Sequence, residues 1–509
     1  MKAVSRTPRK EHLMFATTGD VTSVQSPRTD SVERIDAVFA AQQAAYSPQT
    51  PPTAHERIDR IRRLERLLQT HYPALTDALE ADFGYRSPDQ ILAADMYPGM
   101  AHAAHVRRNL RRWMRPRRRS SGALGLLGVR TREYVEPLGV VGIMSPFNAP
   151  ISLAIDPAID ALAAGNSVIM KPSELTPRTA ALFQRLVAEV FDETEVAVVT
   201  GGVDISAHFA GLAWDKFLFT GGTNTGKRIL EAAAPNLTPV ILELGGKCPA
   251  IILPDVDVRA MGAQVAQGRL GNAGQICLSV DYALVYEDGL EDFIDAALKG
   301  AVAQFPTIQG NRDYSAMIDR RSYDRMLALI DDARASGARV LQADQHAREQ
   351  LSEDGRQVPF TIVVNPAQSA RVDREEVFGP ILSVYTYRTL DEAIEVVNAK
   401  PKALALYVMG FDRGAVERIV TSTSTGGVTV NAAALHAMSG SIGFGGVGPS
   451  GMGRYKGGRV GFDAFSNSKA VVRASRLLIR IAGDRVAPPF RTERARNNLL
   501  RMARLPRRA

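Results

Sequence analysis

Hydrophobic and polar positions along the chain change period several times, and each change marks an element. Thr53 and Glu56 read as a capping box, after which Ile58, Ile61, Leu64 and Leu67 recur at helical spacing. A second helix is expected over residues 74–83, and a third from near Pro88 through Met96 and His105 to Trp113, stopping before Pro116. A short strand-like stretch follows at 134–141. Residues 1–50 hold only isolated apolar positions, and much of this stretch is expected to be extended or disordered.

From residue 140 the order becomes strand, turn, helix, repeated. The apolar run Val140 to Met144 ends at Ser145-Pro146-Phe147-Asn148-Ala149-Pro150, and a helix over 155–164 stops at Gly165-Asn166. A strand at 167–170 leads into Lys171-Pro172-Ser173-Glu174, and the helix over 177–191 opens on a proline, where the missing amide donor is harmless. Strands at 196–200 and 216–219 follow; the second runs into Thr220-Gly221-Gly222-Thr223-Asn224-Thr225-Gly226 and a helix from Lys227. Such alternation implies an α/β fold in which a parallel sheet is covered by helices, with ligands at the carboxyl ends of its strands.

After Cys277 a second α/β region repeats the pattern. Strands are expected at 281–286, 339–341, 360–363, 381–385, 404–409 and 427–431, with helices at 290–302 and 326–335. The polar turn Glu375-Glu376-Val377-Phe378-Gly379-Pro380 lies between two of these strands. The glycine-rich stretch 440–453 lacks the spacing of a regular element and suggests a close-packed wall around a channel, with Phe444 as an aromatic contact.

At 509 residues the chain is too long for one ordinary core, so two or three domains are expected. Two cysteines supply neither a disulfide framework nor a four-cysteine zinc site, which points to a reducing, cytoplasmic compartment. The eight histidines form neither HxxxH nor HExxH, and no metal is expected. No uncharged apolar run is long enough to span a membrane, and residues 1–27 have no apolar signal core.

The net charge of +8 is unevenly placed. Residues 470–509 carry eleven Arg against Asp484 and Glu493, a balance of +9 that leaves −1 for the remainder. A basic tail on a nearly neutral body points to a local contact with lipid, nucleic acid or an acidic partner surface, or to a solubilising or subunit-clamping tail. The eight Arg between Arg107 and Arg119 lack the interleaved aromatics of a base-stacking surface; they read as a solvated helix end or subunit contact, and no nucleic-acid partner is expected.

Candidate chemistry concentrates between residues 241 and 277. Glu243, in Glu243-Leu244-Gly245-Gly246-Lys247, and Cys277, after Gly271-Asn272-Ala273-Gly274-Gln275-Ile276, each stand beside small residues that let a ligand approach. Together they form a base and nucleophile pair; on spacing alone they also read as a surface carboxylate and a buried packing thiol. The turn at Gly221, Gly222, Thr223 and Gly226 is neither GxGxxG nor a triphosphate loop, so its glycines serve either tight geometry or a pyrophosphate at the helix start. Lys171 and Glu174 supply a donor and an acceptor for ribose hydroxyls.

These segments, in this order over roughly residues 55–490, resemble the NAD(P)-dependent aldehyde dehydrogenase family, most of all its coniferyl aldehyde dehydrogenase branch, close to the class 3 enzymes. The resemblance implies an aldehyde dehydrogenase fold: a Rossmann-like cofactor domain, an α/β catalytic domain and a small β oligomerisation arm. It divides the chain into a disordered segment 1–34, a cofactor domain 35–242 interrupted by a subunit-contact segment near 120–139, a catalytic domain 243–453, an oligomerisation segment 454–472 and a basic tail 473–509. Cys277 would attack the aldehyde, Asn148 would face the oxyanion with the Cys277 N–H, and Glu243 would activate the water that hydrolyses the thioester.

The same resemblance assigns Lys171, Glu174, Gly221, Gly222, Thr223 and Gly226 to the cofactor, with Glu376 on the nicotinamide ribose and Phe378 packed behind the ring. Glu174 favours NAD over NADP, which stays open as a second cofactor. Phe147 and Phe444 point to a hydrophobic aldehyde, aromatic or of medium chain length. Phe147 replaces the family's usual tryptophan, Gly222 its serine and Ile276 its threonine. The implied assembly is a homodimer, cytoplasmic or peripheral at a membrane through the basic tail. Two other readings fit the residues: an acylating enzyme that passes the thioester to coenzyme A, and an inactive membrane-associated homologue.

Overall fold

A computed structural model of the chain describes residues 29–343, 355–476, 478–479 and 493–504. Most of the segment expected to be disordered at 1–34 lies outside these residues. Its end, and the longer stretch to residue 50, depart from expectation: Ser31 caps the helix Val32–Ala45 by accepting from the Arg34 N–H. Ile35, Val38, Phe39 and Gln42 form its buried face, and the Gln42 side-chain amide donates to the carbonyl oxygens of Val168 at 3.1 Å and Glu193 at 2.8 Å.

The capping box at Thr53 is present, but the two helices expected after it are one, Ala54–Phe83, which runs through Pro73. Proline removes only its own amide donor, and the Thr76 hydroxyl donates to the Tyr72 carbonyl at 2.9 Å in the following turn. From the first turn of this helix, buried Arg57 donates to the carbonyls of Ala163 at 3.1 Å and Ala164 at 2.7 Å, capping the helix Ser152–Ala164. Burial lowers its pKa to about 10. Gly165 ends that helix at φ +97°, and a Cβ there would lie 2.6 Å from the Arg57 guanidinium carbon.

Three sheets organise the described residues. The first is six-stranded: β3 (Val140–Met144), β4 (Ser167–Lys171), β5 (Val196–Val198), β6 (Lys216–Gly221), β7 (Val240–Leu244) and β15 (Gly451–Met452), in the order β15-β7-β6-β3-β4-β5. All are parallel except β15, which pairs antiparallel with β7. The glycine-rich stretch 440–453 therefore does contain regular structure, because its last residues complete the ladder of β7. The helix after β6 begins at Thr223, four residues earlier than expected, so the glycine turn is wound into its first turn.

The second sheet has seven strands: β8 (Cys248–Ile252), β9 (Val280–Tyr286), β10 (Arg339–Gln342), β11 (Thr361–Val364), β12 (Ile381–Tyr387), β13 (Ala405–Met409) and β14 (Gly427–Val430), in the order β10-β11-β12-β9-β8-β13-β14. Only β10 is antiparallel. Each large sheet buries aliphatic side chains on both faces, as helix-covered parallel sheets must.

The third sheet is antiparallel: β1 (Arg117–Arg119), β2 (Arg130–Pro137) and β16 (Ser466–Arg473), with β2 in the centre. The strand expected at 134–141 is thus two strands, β2 and β3, parted at Leu138-Gly139. Part of the arginine run forms β1 rather than a helix end.

Candidate active site

The two large sheets are joined by three residues. β7 ends at Leu244 and β8 starts at Cys248, so Gly245-Gly246-Lys247 carries the chain from one sheet to the other. Glu243 stands at the carboxyl end of β7, and Cys277 lies just before β9 in the neighbouring sheet. The glycines are required here: a Cβ on Gly245 would sit 2.0 Å from an Oε of Glu376. Glu376 is thereby laid over the crossover.

The loop before Cys277 is strained. Asn272 and Ala273 both have left-handed backbone, at φ 48° and 49°, and Gly274 follows at φ 76°. Each non-glycine residue in that region costs roughly 1–2 kcal/mol. Buried Gln275 holds the conformation: its Nε2 donates to the carbonyls of Asn272 at 3.1 Å and Ala316 at 3.0 Å, and its Oε1 accepts from the Ile318 N–H at 3.0 Å. A side chain on Gly274 would meet the Gly379 carbonyl oxygen at 2.1 Å.

Asn148 is tied to this loop from both directions. Its Nδ2 donates to the Gln275 carbonyl at 3.0 Å, and its own carbonyl accepts from Asn272 Nδ2 at 3.2 Å and Arg86 Nη2 at 3.1 Å. Arg86 and Asp95 form a fully buried ion pair at 2.7 Å, and Asp95 also accepts from the Ile151 N–H. Neither charged residue was identifiable as functional beforehand, since two such residues nine apart in a helical region read as solvated.

Burial raises the proton affinity of both Cys277 and Glu243. Burial pushes the Cys277 thiol up to about 12, with the Glu376 and Glu243 carboxylates adding to it, while the N–H groups of Cys277 and Leu278 pull the other way. Burial likewise holds the Glu243 carboxyl well above its ordinary range, opposed by Arg454. Neither Glu243 oxygen has a hydrogen-bond partner among the described residues. A buried carboxyl that acts electrostatically on the thiol has both oxygens free to accept from a donor entering the site. The second cysteine, Cys248, is fully buried in β8 and donates to the Cys277 carbonyl at 3.3 Å.

The wall around Glu243 comes from the glycine-rich stretch. Gly451 stands opposite Glu243 in the β7–β15 register, and a Cβ on Gly445 would lie 3.0 Å from a Glu243 oxygen. Phe444 pairs with Tyr455 through both backbone hydrogen bonds at 2.9 Å and stacks on His436 at 6.1 Å. Phe147 contacts Phe378 edge-on at 5.9 Å and Phe83 at 6.4 Å. Phe147 and Phe444 both border the same hydrophobic core, and Phe444 also borders the core next to Cys277.

The segment bearing Glu376 and Phe378 is gripped along its backbone. Lys247 Nζ donates to the carbonyls of Val372 at 2.8 Å and Glu375 at 3.0 Å and pairs with Asp281. The other Asp281 oxygen accepts from the Val377 N–H at 2.8 Å. From outside, Arg325 donates to the carbonyls of Glu376 at 2.7 Å and Val377 at 2.6 Å. Phe378 itself has φ 50°, a conformation that such a grip maintains. Burial pushes the Glu376 carboxyl up to about 7, opposed first by the Gly246 N–H.

The other sequence-identified residues share the carboxyl ends of three adjacent strands, β6, β3 and β4. Gly222 caps the helix Thr223–Ala233 without a side-chain hydrogen bond, and a Cβ on it would meet nothing within 4 Å. Gly221 and Gly226 are crowded: added Cβ atoms would lie 2.3 Å from the Phe219 ring and 2.8 Å from a Leu244 methyl, so those side chains would have to shift. Thr223 Oγ1 donates to the Pro449 carbonyl at 3.2 Å. At the end of β4, buried Lys171 donates to the Pro172 carbonyl at 3.1 Å and lies 3.8 Å from the exposed Glu174 carboxylate. Burial lowers the Lys171 pKa, and Glu174 opposes this.

An uncapped helix start and a paired cation and carboxylate fit the pyrophosphate and ribose hydroxyls of a dinucleotide. Among the described residues no cluster of His, Cys, Asp and Glu could hold a metal, and no helix is long and apolar enough to cross a membrane.

The sequence model described as "Aldehyde dehydrogenase family" matches residues 11–471. A coniferyl aldehyde dehydrogenase of a Pseudomonas species is 41% identical over 407 residues, covering 80% of this chain and 84% of the relative. A probable coniferyl aldehyde dehydrogenase of Pseudomonas aeruginosa is 39% identical over 471 residues, covering 92% and 96%. Among solved structures, the substrate-bound state of Staphylococcus aureus AldH superimposes with a TM-score of 0.84 at 31% identity, covering 92% of this chain and 99% of that one. An NAD-dependent aldehyde dehydrogenase from Sinorhizobium meliloti gives a TM-score of 0.77 at 25% identity, with 88% of each covered.

Proposed function

Because the chain belongs to the aldehyde dehydrogenase family, and is therefore an oxidoreductase acting on aldehydes, we propose that it oxidises a hydrophobic aldehyde to the carboxylic acid with Cys277 as nucleophile. The observation that carries this reading is the convergence of three groups. The Asn148 amide is bonded to the loop of Cys277, and the Glu243 carboxyl is buried, without a hydrogen-bond partner among the described residues, and close enough to raise the thiol's proton affinity.

In this reading the Cys277 thiolate adds to the aldehyde carbon, forming a tetrahedral thiohemiacetal. The oxygen that gains charge meets the Asn148 side-chain amide and the Cys277 N–H. A bound dinucleotide would supply the hydride acceptor, and loss of hydride from that carbon would leave a thioester on Cys277. Lys171 and Glu174 would hold its ribose hydroxyls, the turn at Gly221, Gly222, Thr223 and Gly226 would take the pyrophosphate, and Glu376 and Phe378 would serve the nicotinamide end.

Glu243, once ionised, removes a proton from the water that hydrolyses the thioester. Its placement beside Cys277 favours water over coenzyme A as acceptor. Burial, which raises its pKa well above the ordinary carboxylate range, makes it a stronger base than an exposed carboxylate.

Phe147 and Phe444 supply apolar wall on two sides, and the relatives named coniferyl aldehyde dehydrogenases support an aromatic substrate, with medium-chain aldehydes as competitors. Glu174 and the NAD-dependent neighbour support NAD as the first cofactor and NADP as the second. Residues 35–242 act as the cofactor domain and 243–453 as the catalytic domain. Residues 454–472, with 120–139, assemble a homodimer through the open edge of β16. Light scattering that returned a concentration-independent monomer would remove the dimer.

A panel of aromatic and aliphatic aldehydes tests the activity, with NAD or NADP and with or without coenzyme A, following reduced cofactor and acid product. Turnover to the free acid independent of coenzyme A is expected. No turnover from a protein shown to bind the dinucleotide would overturn the proposal.

A further inference from the structure

The proposed reaction leaves one buried ion pair beside the site unused. Arg86 and Asp95 have no exposed surface, and Arg86 Nη2 donates to Asp95 Oδ2 at 2.7 Å. Burial lowers the pKa of the arginine and raises that of the carboxyl, each opposed by the charge of the other. Taking two ions out of water is so costly that such a pair is often no more stabilising than apolar residues of the same volume. This pair is also incompletely satisfied, since Arg86 Nε and Nη1 have no hydrogen-bond partner among the described residues. Bulk stability does not account for it.

What the pair holds is the turn between β3 and the helix Ser152–Ala164, and it holds that turn at both ends. Arg86 Nη2 donates to the Asn148 carbonyl at 3.1 Å, and Asp95 Oδ1 accepts from the Ile151 N–H at 3.2 Å. Ile151 is the N-cap of that helix and makes no side-chain capping bond, so the carboxylate also stands at the positive end of the helix dipole. The Arg86 guanidinium lies over the Phe83 ring, 4.6 Å from its centroid, and Phe83 packs on Phe147 at 6.4 Å. Asp95 itself belongs to the five-residue π-helical segment Leu92–Met96, which joins the helices Pro88–Ile91 and Tyr97–Trp113. Such turns are rare and recur at functional sites.

We infer that Arg86 and Asp95 are positioning residues, a clamp that fixes residues 148–151 so that the Asn148 side-chain amide meets the oxygen gaining charge. The inference rests on the reading of Asn148 as oxyanion donor and deepens it. The Asn148 side chain is tied to the nucleophile loop through the Gln275 carbonyl at 3.0 Å, and the clamp sets where its backbone stands. With no exposed surface, neither Arg86 nor Asp95 reaches the aldehyde, so both act through the turn. Misplacing such a donor by about 1 Å costs on the order of 10²-fold in rate.

Steady-state kinetics of the full-length protein test this, with NAD and the aromatic aldehyde of highest kcat/KM. Arg86→Lys keeps the charge but loses the planar fork that sets its donor directions. It should lower kcat roughly tenfold, with aldehyde KM and the dinucleotide Kd within about twofold of native. Arg86→Met with Asp95→Leu removes both buried charges, so it should melt close to the native temperature and still lose kcat roughly tenfold or more. On an Asn148→Ala background, Arg86→Lys should change kcat by less than about twofold, because the amide it positions is already gone. Additive losses on that background would overturn the proposal. So would native kcat in the Met–Leu variant, or kcat, aldehyde KM and dinucleotide Kd worsening together in Arg86→Lys. Asn148→Ala alone checks the premise: native kcat there would sink the oxyanion reading, whereas a slow Asn148→Ala beside fully active Arg86 variants would sink only the clamp.

Discussion

The Asn148 side-chain amide donates to the Gln275 carbonyl at 3.0 Å, two residues before Cys277, so the proposed oxyanion donor and the nucleophile loop move as one unit. Arg86 and Asn272 hold the Asn148 backbone carbonyl on the other side. Asn148→Ala should therefore lower kcat by roughly 10²–10³, the usual cost of one oxyanion donor, with little change in aldehyde KM. The Gln275 carbonyl keeps a contact from Asn272 Nδ2 at 3.4 Å, so the melting temperature should fall only modestly. Steady-state kinetics beside calorimetry separates the two effects.

Glu243→Gln should divide the reaction. Gln cannot accept the proton of the hydrolytic water, so stopped-flow should record a burst of reduced cofactor followed by turnover slowed at least 10²-fold. In the native enzyme, burial raises the Glu243 pKa well above the ordinary carboxylate range. The base works ionised, so its rate should climb with pH through that raised value, and the climb should be missing in the variant. Equal slowing of burst and steady state would remove Glu243 from the hydrolytic step.

Much of this arrangement was legible in the chain, for identifiable reasons. Apolar runs of four or five residues ending in polar turns placed β3, β4 and β6, and their carboxyl ends carry Asn148, Lys171 and Gly222 as alternation implies. The helix Val32–Ala45 escaped notice because its buried face is only Ile35, Val38, Phe39 and a polar Gln42, too few apolar positions to establish a period. Pro73 reads as a boundary because proline in a helix interior removes a hydrogen bond and clashes with the preceding turn, a cost that the packed helix Ala54–Phe83 absorbs. β8 was hidden by its neighbour: three residues after β7, it reads as part of the same motif. Gly222 was readable as a tight-turn glycine, yet an added Cβ there meets nothing. Arg86, Asp95 and Arg325 act through tertiary contacts, which no local pattern records.

Arg325 makes a separable prediction. It is half-buried and binds the backbone carbonyls of Glu376 and Val377, so it positions the proposed ribose ligand without touching the thiol loop. Arg325→Met should raise the KM for the dinucleotide several-fold to tenfold while aldehyde KM stays within twofold, about 1 kcal/mol of lost positioning. Arg325→Lys should recover part of the loss, since a single ammonium can reach one carbonyl but not bridge two. If both KM values rose together, the residue would be supporting the fold generally rather than this segment.

Glu376 links the site to stability. Burial raises its pKa from 4.5 to about 7, so the folded chain binds this proton more tightly than the unfolded chain. The stabilising contribution is then complete below about pH 4.5 and is lost as pH rises through about 7. Glu376→Gln stays neutral throughout, so its unfolding free energy should gain on the native protein between pH 5 and 8, by an amount on the order of 3 kcal/mol at the upper end, and its melting temperature should rise with it. Parallel melting curves against pH for the two proteins would contradict this assignment.

Gly222 offers the one gain-of-function test. Its φ of −76° and ψ of 148° are ordinary for any residue, and open space surrounds its Cβ direction. It is the N-cap of the helix Thr223–Ala233, where serine accepts from the free N–H groups of the first turn and is preferred over glycine by a few tenths of a kcal/mol. Serine also places a hydroxyl donor at the proposed pyrophosphate position. Gly222→Ser should therefore lower the dinucleotide dissociation constant by roughly fivefold, the worth of about 1 kcal/mol for one added hydrogen bond, and raise the melting temperature slightly. Titration calorimetry with NAD reads the first effect. Unchanged affinity in a stabilised variant would show that the hydroxyl is consumed in capping the helix, and that the pyrophosphate relies on backbone N–H groups alone.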